Sequence, residues 1–154
     1  MCDNRNIFKK KTILELGAGT GICGIVAGKI GANVLISEMS SNKSALDVIR
    51  TNLSTNNVTA DILPLEWGVL EDLFHMPKLD FIIGSDVFYD EDDFEDLFFT
   101  LSLLLENQTT FYTAYHHRCA MSVECYMKKW DLSSQLVLYD SCSDIHLYKI
   151  NKKL

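Results

Sequence analysis

Three closely spaced glycines follow an apolar run where residues 13–24 read ILELGAGTGICG. Gly17, Gly19 and Gly21 form G-x-G-x-G, and Gly19, Gly21 and Gly24 form the overlapping G-x-G-x-x-G. Such a loop turns tightly and lets a ligand reach main-chain atoms with no Cβ in the way. A helix starting near Ile22 offers free N–H groups and a positive dipole end at the same place. Further on, Glu38 closes a second apolar stretch, NVLISE. A carboxylate there can accept hydrogen bonds from both hydroxyls of a ribose. Loop and acid together point to an adenosine-containing ligand; a solvated helix-capping residue is the plainer alternative for Glu38.

Two glycine frames compete. A dinucleotide site has its first glycine at the strand end and its third five residues later. Counted from Gly17, that third position is Ile22; counted from Gly19, the frame begins past the turn. A nicotinamide enzyme also needs a substrate-binding half, and 154 residues leave little room for one. The frame that fits is ELGAGTG, with Glu15 two residues before the first glycine.

The elements that must position these residues alternate. Short apolar runs at 11–16, 33–37, 58–63, 80–85 and 110–115 predict buried strands. Helical spacing marks 22–30, 42–56, 92–106 and 119–130, with a short helical segment at 68–74 and Gly31 as a C-terminal cap. Residues 135–139 and 145–150 flank the turn-prone DSCSD and predict a hairpin. The fold class is α/β: a mostly parallel twisted sheet of about seven strands with a C-terminal antiparallel hairpin. Ligands of such sheets bind beyond the carboxyl ends of the strands, where the strand order reverses. The loops 17–21, 38–41 and 85–90 then share one mouth.

Two further stretches stand in order after Glu38: LEWG at 65–68 and SDVFYDEDDFED at 85–96. With ELGAGTG, this order resembles the class I S-adenosylmethionine-dependent methyltransferases. Within them it is similar to the group sometimes called family sixteen, which contains many protein-lysine methyltransferases. The resemblance covers roughly residues 12–132. It implies one Rossmann-like methyltransferase domain over 1–154, with S-adenosylmethionine as methyl donor and S-adenosylhomocysteine as product. The implied acceptor is a protein side-chain nitrogen of Lys or Arg. Carried over residue by residue, the resemblance has Gly17, Ala18 and Gly19 lining the methionine and ribose part of the cofactor, with Glu15 and Gly21 in the same motif. Glu38 holds the ribose hydroxyls, Trp67 packs near the adenine, and Ser85 lies beside the cofactor. Asp86 and Tyr89 face the substrate. The structural alternatives are a core tryptophan for Trp67 and a helix cap for Asp86, although Asp90 or Asp92 is better placed to cap.

Methyl transfer is an in-line displacement at a sulfonium carbon, so positioning can supply most of the catalysis. An amine acceptor becomes cationic as the methyl arrives. A carboxylate such as Asp86 can orient it and stabilise the growing charge, and the faces of Phe88 and Tyr89 favour a cation.

Composition narrows the partners. The net charge of −7 argues against a general nucleic-acid binder and is compatible with a basic protein segment. The acidic run Asp90–Asp93, Glu95 and Asp96 suits a helix start for dipole reasons and equally suits attraction of a basic peptide. No apolar run reaches the ~18 residues that span a bilayer, and the polar, basic start is no signal peptide. Five cysteines without a C-x-x-C read as reduced thiols of an intracellular protein, in cytoplasm or nucleus, with no disulfide or metal site. His116, His117 and Arg118 are expected at the rim of the mouth. The family pattern has a helix-bearing segment before the first strand, whereas eleven residues precede Thr12 here. That predicts a missing N-terminal helix and an apolar sheet face open beside the first strand, available to a partner or a second copy. A truncated, catalytically weak fold acting as a protein-binding module is the second reading.

Overall fold

A computed structural model describes residues 5–74, 76–105, 108–116 and 120–153. A short helix α1 (Arg5–Phe8) leads into β1 (Thr12–Glu15), whose last three residues are fully buried. Helix α2 (Ile22–Lys29), β2 (Asn33–Glu38), α3 (Lys43–Asn56) and β3 (Asp61–Pro64) complete the first half. The second half holds β4 (Phe81–Ser85), α4 (Phe94–Leu104), β5 (Thr110–His116), α5 (Ala120–Lys129), β6 (Leu132–Asp140) and β7 (Ile145–Lys152). The seven strands lie in the order β3-β2-β1-β4-β5-β7-β6. The first five are parallel, and β7 runs antiparallel to both β5 and β6.

The order reverses between β1 and β4. Glu15 is in register with Ile83, and the Leu16 N–H donates to the Ile83 carbonyl at 2.8 Å. Strands covered on both faces are buried through their centres: residues 34–37 of β2 and 82–84 of β4 are all buried, and the polar member, Ser37, donates its hydroxyl to the Glu15 carbonyl at 2.8 Å. On one face, α2 and α3 bury Ile25, Ile49 and Leu53 against Ile13 and Ile36. On the other, α4 and α5 build an aromatic core around Phe88, Phe94, Phe98 and Phe111, each with no exposed surface.

Several boundaries differ from the sequence reading for local reasons. The third strand starts at Asp61 rather than residue 58. Asn57 turns left-handed at φ 53°, and the Val58 N–H donates back to the Leu53 carbonyl, so Val58 closes α3. The helical segment expected at 68–74 is one 3-10 turn, Glu71–Leu73. The fourth helix begins at Phe94, after a 3-10 turn Glu91–Asp93 whose Asp92 N–H donates to Asp90 Oδ1 at 3.1 Å. Asp90 is thus the cap, as its type and position predict.

Beside β1 the sheet face is closed: Phe8 is buried and packs edge-on to Phe81 and Tyr112 at 5.0 and 6.1 Å. The open apolar surface lies farther along, over β4 to β7. It is a groove of about 480 Å³ between α1 and α2 on one side and Leu136, Val137 and Leu147 on the other. Among the described residues, no helix is long and apolar enough to cross a membrane.

Candidate active site

At the carboxyl end of β1 the chain has to leave the sheet and enter α2 within a few residues. Gly17 makes the first bend at φ 61°, a conformation that costs other residues strain. A Cβ there would lie 3.0 Å from Trp67 Cζ2 and 3.3 Å from Val87 Cγ1, so bend and packing both require glycine. Gly19 faces open space on the side where a Cβ would stand.

Two carboxylates brace this turn. Glu15, buried at the end of β1, accepts the Cys23 N–H through Oε1 at 3.1 Å and the Gly24 N–H through Oε2 at 2.8 Å. It serves the free donors of α2, for which the N-cap Gly21 has no side chain. Burial pushes its carboxyl up to about 7, against the pull of those two N–H bonds. Burial and the neighbouring Glu15 charge push the Cys23 thiol up to about 11. Glu38, at the end of β2, accepts the Gly19 N–H through Oε2 at 2.7 Å. Its Oε1 accepts from the Met39 N–H at 3.1 Å and from Asn42 Nδ2 at 3.4 Å. The loops after β2 and β3 are clasped together, because the Ser40 N–H (2.9 Å) and its hydroxyl both donate to Glu66 Oε1.

Across the seam, β4 ends at Ser85 and the chain reverses at Asp86. Its φ of 56° is a left-handed value that Asp tolerates better than most residues, and its N–H donates to the Ala114 carbonyl at 2.7 Å. Tyr89 stands exposed at the rim. Partial burial, then the charges of Asp93, Asp90 and Glu38, hold its phenol above the ordinary value, so it is protonated at neutral pH. Asp93 is raised by burial and by the like charges of Asp90, Asp92 and Asp96.

These parts enclose a cavity of about 490 Å³. Of the residues singled out from sequence, Gly17, Gly19, Glu38, Trp67, Asp86 and Tyr89 line it. Glu15, Ala18 and Gly21 stand behind the wall: Ala18 donates its N–H to the Ser37 carbonyl, and Gly21 faces Ile49. Ser85 lines the groove beside α1 and α2 instead. Trp67 does two things, packing on the aromatic core while presenting its ring to Gly17 and the cavity. Phe88 is a correction: fully buried and stacked on Phe98 at 5.4 Å, it cannot offer a face to a substrate cation. The wall also includes Met39, Asn42 and Glu66, which the sequence reading did not single out, and Asp93 and Asp96 of the acidic run. No Lys or Arg is among the described residues that line it. His117 and Arg118 lie outside the described residues.

The reversed strand order, the antiparallel β7 and a glycine turn facing a strand-end acid define a Rossmann-like methyltransferase fold. A ribosomal protein L11 methylase from Lactobacillus delbrueckii subsp. bulgaricus shares it with a TM-score of 0.75 at 19% identity, over 97% of this chain and 74% of that one. The lysine methyltransferase family model matches residues 2–132, and the chain belongs to that family. The histone-arginine methyltransferase METTL23 of Xenopus laevis is 40% identical over 84% of this chain and 57% of its own length. The protein N-lysine methyltransferase METTL21A of Mus musculus is 35% identical over 91% of this chain and 66% of its own. The chain therefore spans a little over half to two thirds of the length of these relatives.

Proposed function

We propose that this chain carries the methyl-transferring unit of an S-adenosylmethionine-dependent protein methyltransferase acting on a Lys or Arg side-chain nitrogen. One observation carries the reading. A single cavity joins a Cβ-free turn and its strand-end acid, Glu38, to an acid and a phenol, Asp86 and Tyr89, on the other side of the seam. The names of the relatives, a histone-arginine and a protein N-lysine methyltransferase, support a protein acceptor. The excess of carboxylates around the cavity suits a basic segment of such a protein.

The residues fit the methyl donor. Gly19 leaves its cavity side open, and Glu38 is held in place by backbone donors. A carboxylate has about four acceptor positions; with Gly19, Met39 and Asn42 on three of them, Glu38 can take one ribose hydroxyl without releasing the loop. When bound, S-adenosylmethionine supplies an electrophilic methyl group on a sulfonium centre. Trp67 gives an apolar, polarisable wall for a flat base. Asp86, fixed by its turn, orients the acceptor nitrogen and balances the positive charge that develops on it. Tyr89 presents a protonated hydroxyl and a ring face to the same cation.

The test is transfer of a tritiated methyl group into histones and into a cell lysate, alongside calorimetric titration with S-adenosylmethionine. Labelled protein that disappears with Asp86→Asn is the expected result. An intact, folded chain that binds no donor at millimolar concentration overturns the reading and leaves a binding module.

A further inference from the structure

Asn42 has two jobs that can be separated. It is the N-cap of α3, where Oδ1 accepts the Ala45 N–H at 3.3 Å and the Ser44 hydroxyl at 3.0 Å. Its own N–H donates to the Met39 carbonyl at 3.0 Å, closing the turn between β2 and α3. With Oδ1 engaged by two donors, the amide has one orientation open to it. Nδ2 must point the other way, and there it meets Glu38 Oε1 at 3.4 Å. Asn42 also lines the cavity beside Glu38.

A capping residue needs only an acceptor, and Ser or Asp serves as well as Asn. The cap therefore does not explain an amide. The amino group does: it is a donor aimed at a carboxylate that already accepts two N–H groups on its loop side. We infer that Asn42 is a positioning residue that fixes the Glu38 carboxylate in the rotamer that receives the donor's ribose, coupling the sugar site to the start of α3. This rests on the proposed reading of the cavity.

Capping equivalence supplies the experiment. Asn42→Asp keeps the acceptor, loses the donor and adds a charge beside Glu38; Asn42→Ser keeps the capping acceptor and replaces the amide N–H that reaches Glu38 by a shorter hydroxyl. Each is compared with the intact chain for its melting temperature and for its Kd for S-adenosylmethionine by calorimetry. The expected result is an unchanged melting temperature in both. Kd weakens about fivefold for Asn42→Ser, the size of one modest hydrogen bond, and about tenfold or more for Asn42→Asp. Asn42→Ala should lower the melting temperature as well. If Asn42→Ser and Asn42→Asp bind as tightly as the intact chain, Asn42 is a cap only and the inference is overturned. An intact chain that binds no donor overturns the reading of the cavity itself, a different failure.

Discussion

Glu15 and Gly24 stand closer than any side chain at position 24 allows. Oε2 of Glu15 accepts the Gly24 N–H at 2.8 Å, and a Cβ on Gly24 would lie 2.6 Å from that oxygen and 2.8 Å from Ile36 Cγ1. The first turn of α2 thus sits directly on the buried carboxylate. Gly24→Ala must push the helix off the sheet or break the bond, at a cost of about 1–3 kcal/mol. For a chain of this length that lowers the melting temperature by roughly 2–4 °C per kcal/mol. Differential scanning calorimetry measures it. Donor affinity should fall too, because the same turn carries Gly19.

Stability should depend on pH through Glu15. Its folded value of about 7 lies above the ordinary 4.5, so the folded state binds the proton more tightly than the unfolded state. The stabilisation is fully present below pH 4.5 and is lost as pH rises through about 7. Over that window the loss is about 3 kcal/mol by linkage. Glu15→Gln has no proton to lose. Melting temperatures of the two proteins from pH 5 to 8 should therefore converge as pH rises, or cross, with the intact chain falling relative to the variant.

Asp86 combines a charge with a left-handed backbone, and three substitutions separate them. Asp86→Asn keeps a residue that tolerates φ 56° and removes the charge. It should leave stability and donor affinity nearly unchanged while lowering kcat about 100-fold or more. Asp86→Gly keeps the bend and loses the same activity. Asp86→Ala adds about 1 kcal/mol of strain to the loss. Methyl-transfer rates alongside thermal melts distinguish the three.

Phe88 lies between Asp86 and Tyr89 in sequence but belongs to the core. It stacks on Phe98 and meets Phe94, Phe111 and Tyr115 edge-on, at 5.0 to 6.4 Å. Phe88→Ala should destabilise by about 3–5 kcal/mol, as read by urea denaturation. Phe88→Leu should cost less and retain methyl transfer, which a cation-binding face would not permit.

The glycine turn, the strand-end acid and the alternation of elements were legible because each has a local cause. A backbone bend needs glycine, a buried strand needs an unbroken apolar run, and Asp90 is a cap type at a cap position. Phe88 was not legible, because an aromatic residue beside two site residues reads the same whether it points out or in; only the packing of α4 and β5 decides. Glu66 and Met39 were missed for a related reason. They reach the cavity through the clasp between two loops that are distant in sequence, and no periodicity records it. Ser85 lines the other groove because β4 is still paired there, in register with Ala114 of the same groove, and the chain turns toward the cavity only at Asp86, whose φ is 56°.

The seam between β1 and β4 has a thermodynamic corollary. One wall of the mouth comes from the first three strands and the other from the later run of chain, so neither run encloses a pocket by itself. A molecule wedged there acts as a clamp on both: above its dissociation constant, every tenfold rise in its concentration adds about 1.4 kcal/mol to the work of parting them. Heat resistance should climb with the logarithm of donor concentration, making a simple melting curve a gauge of occupancy.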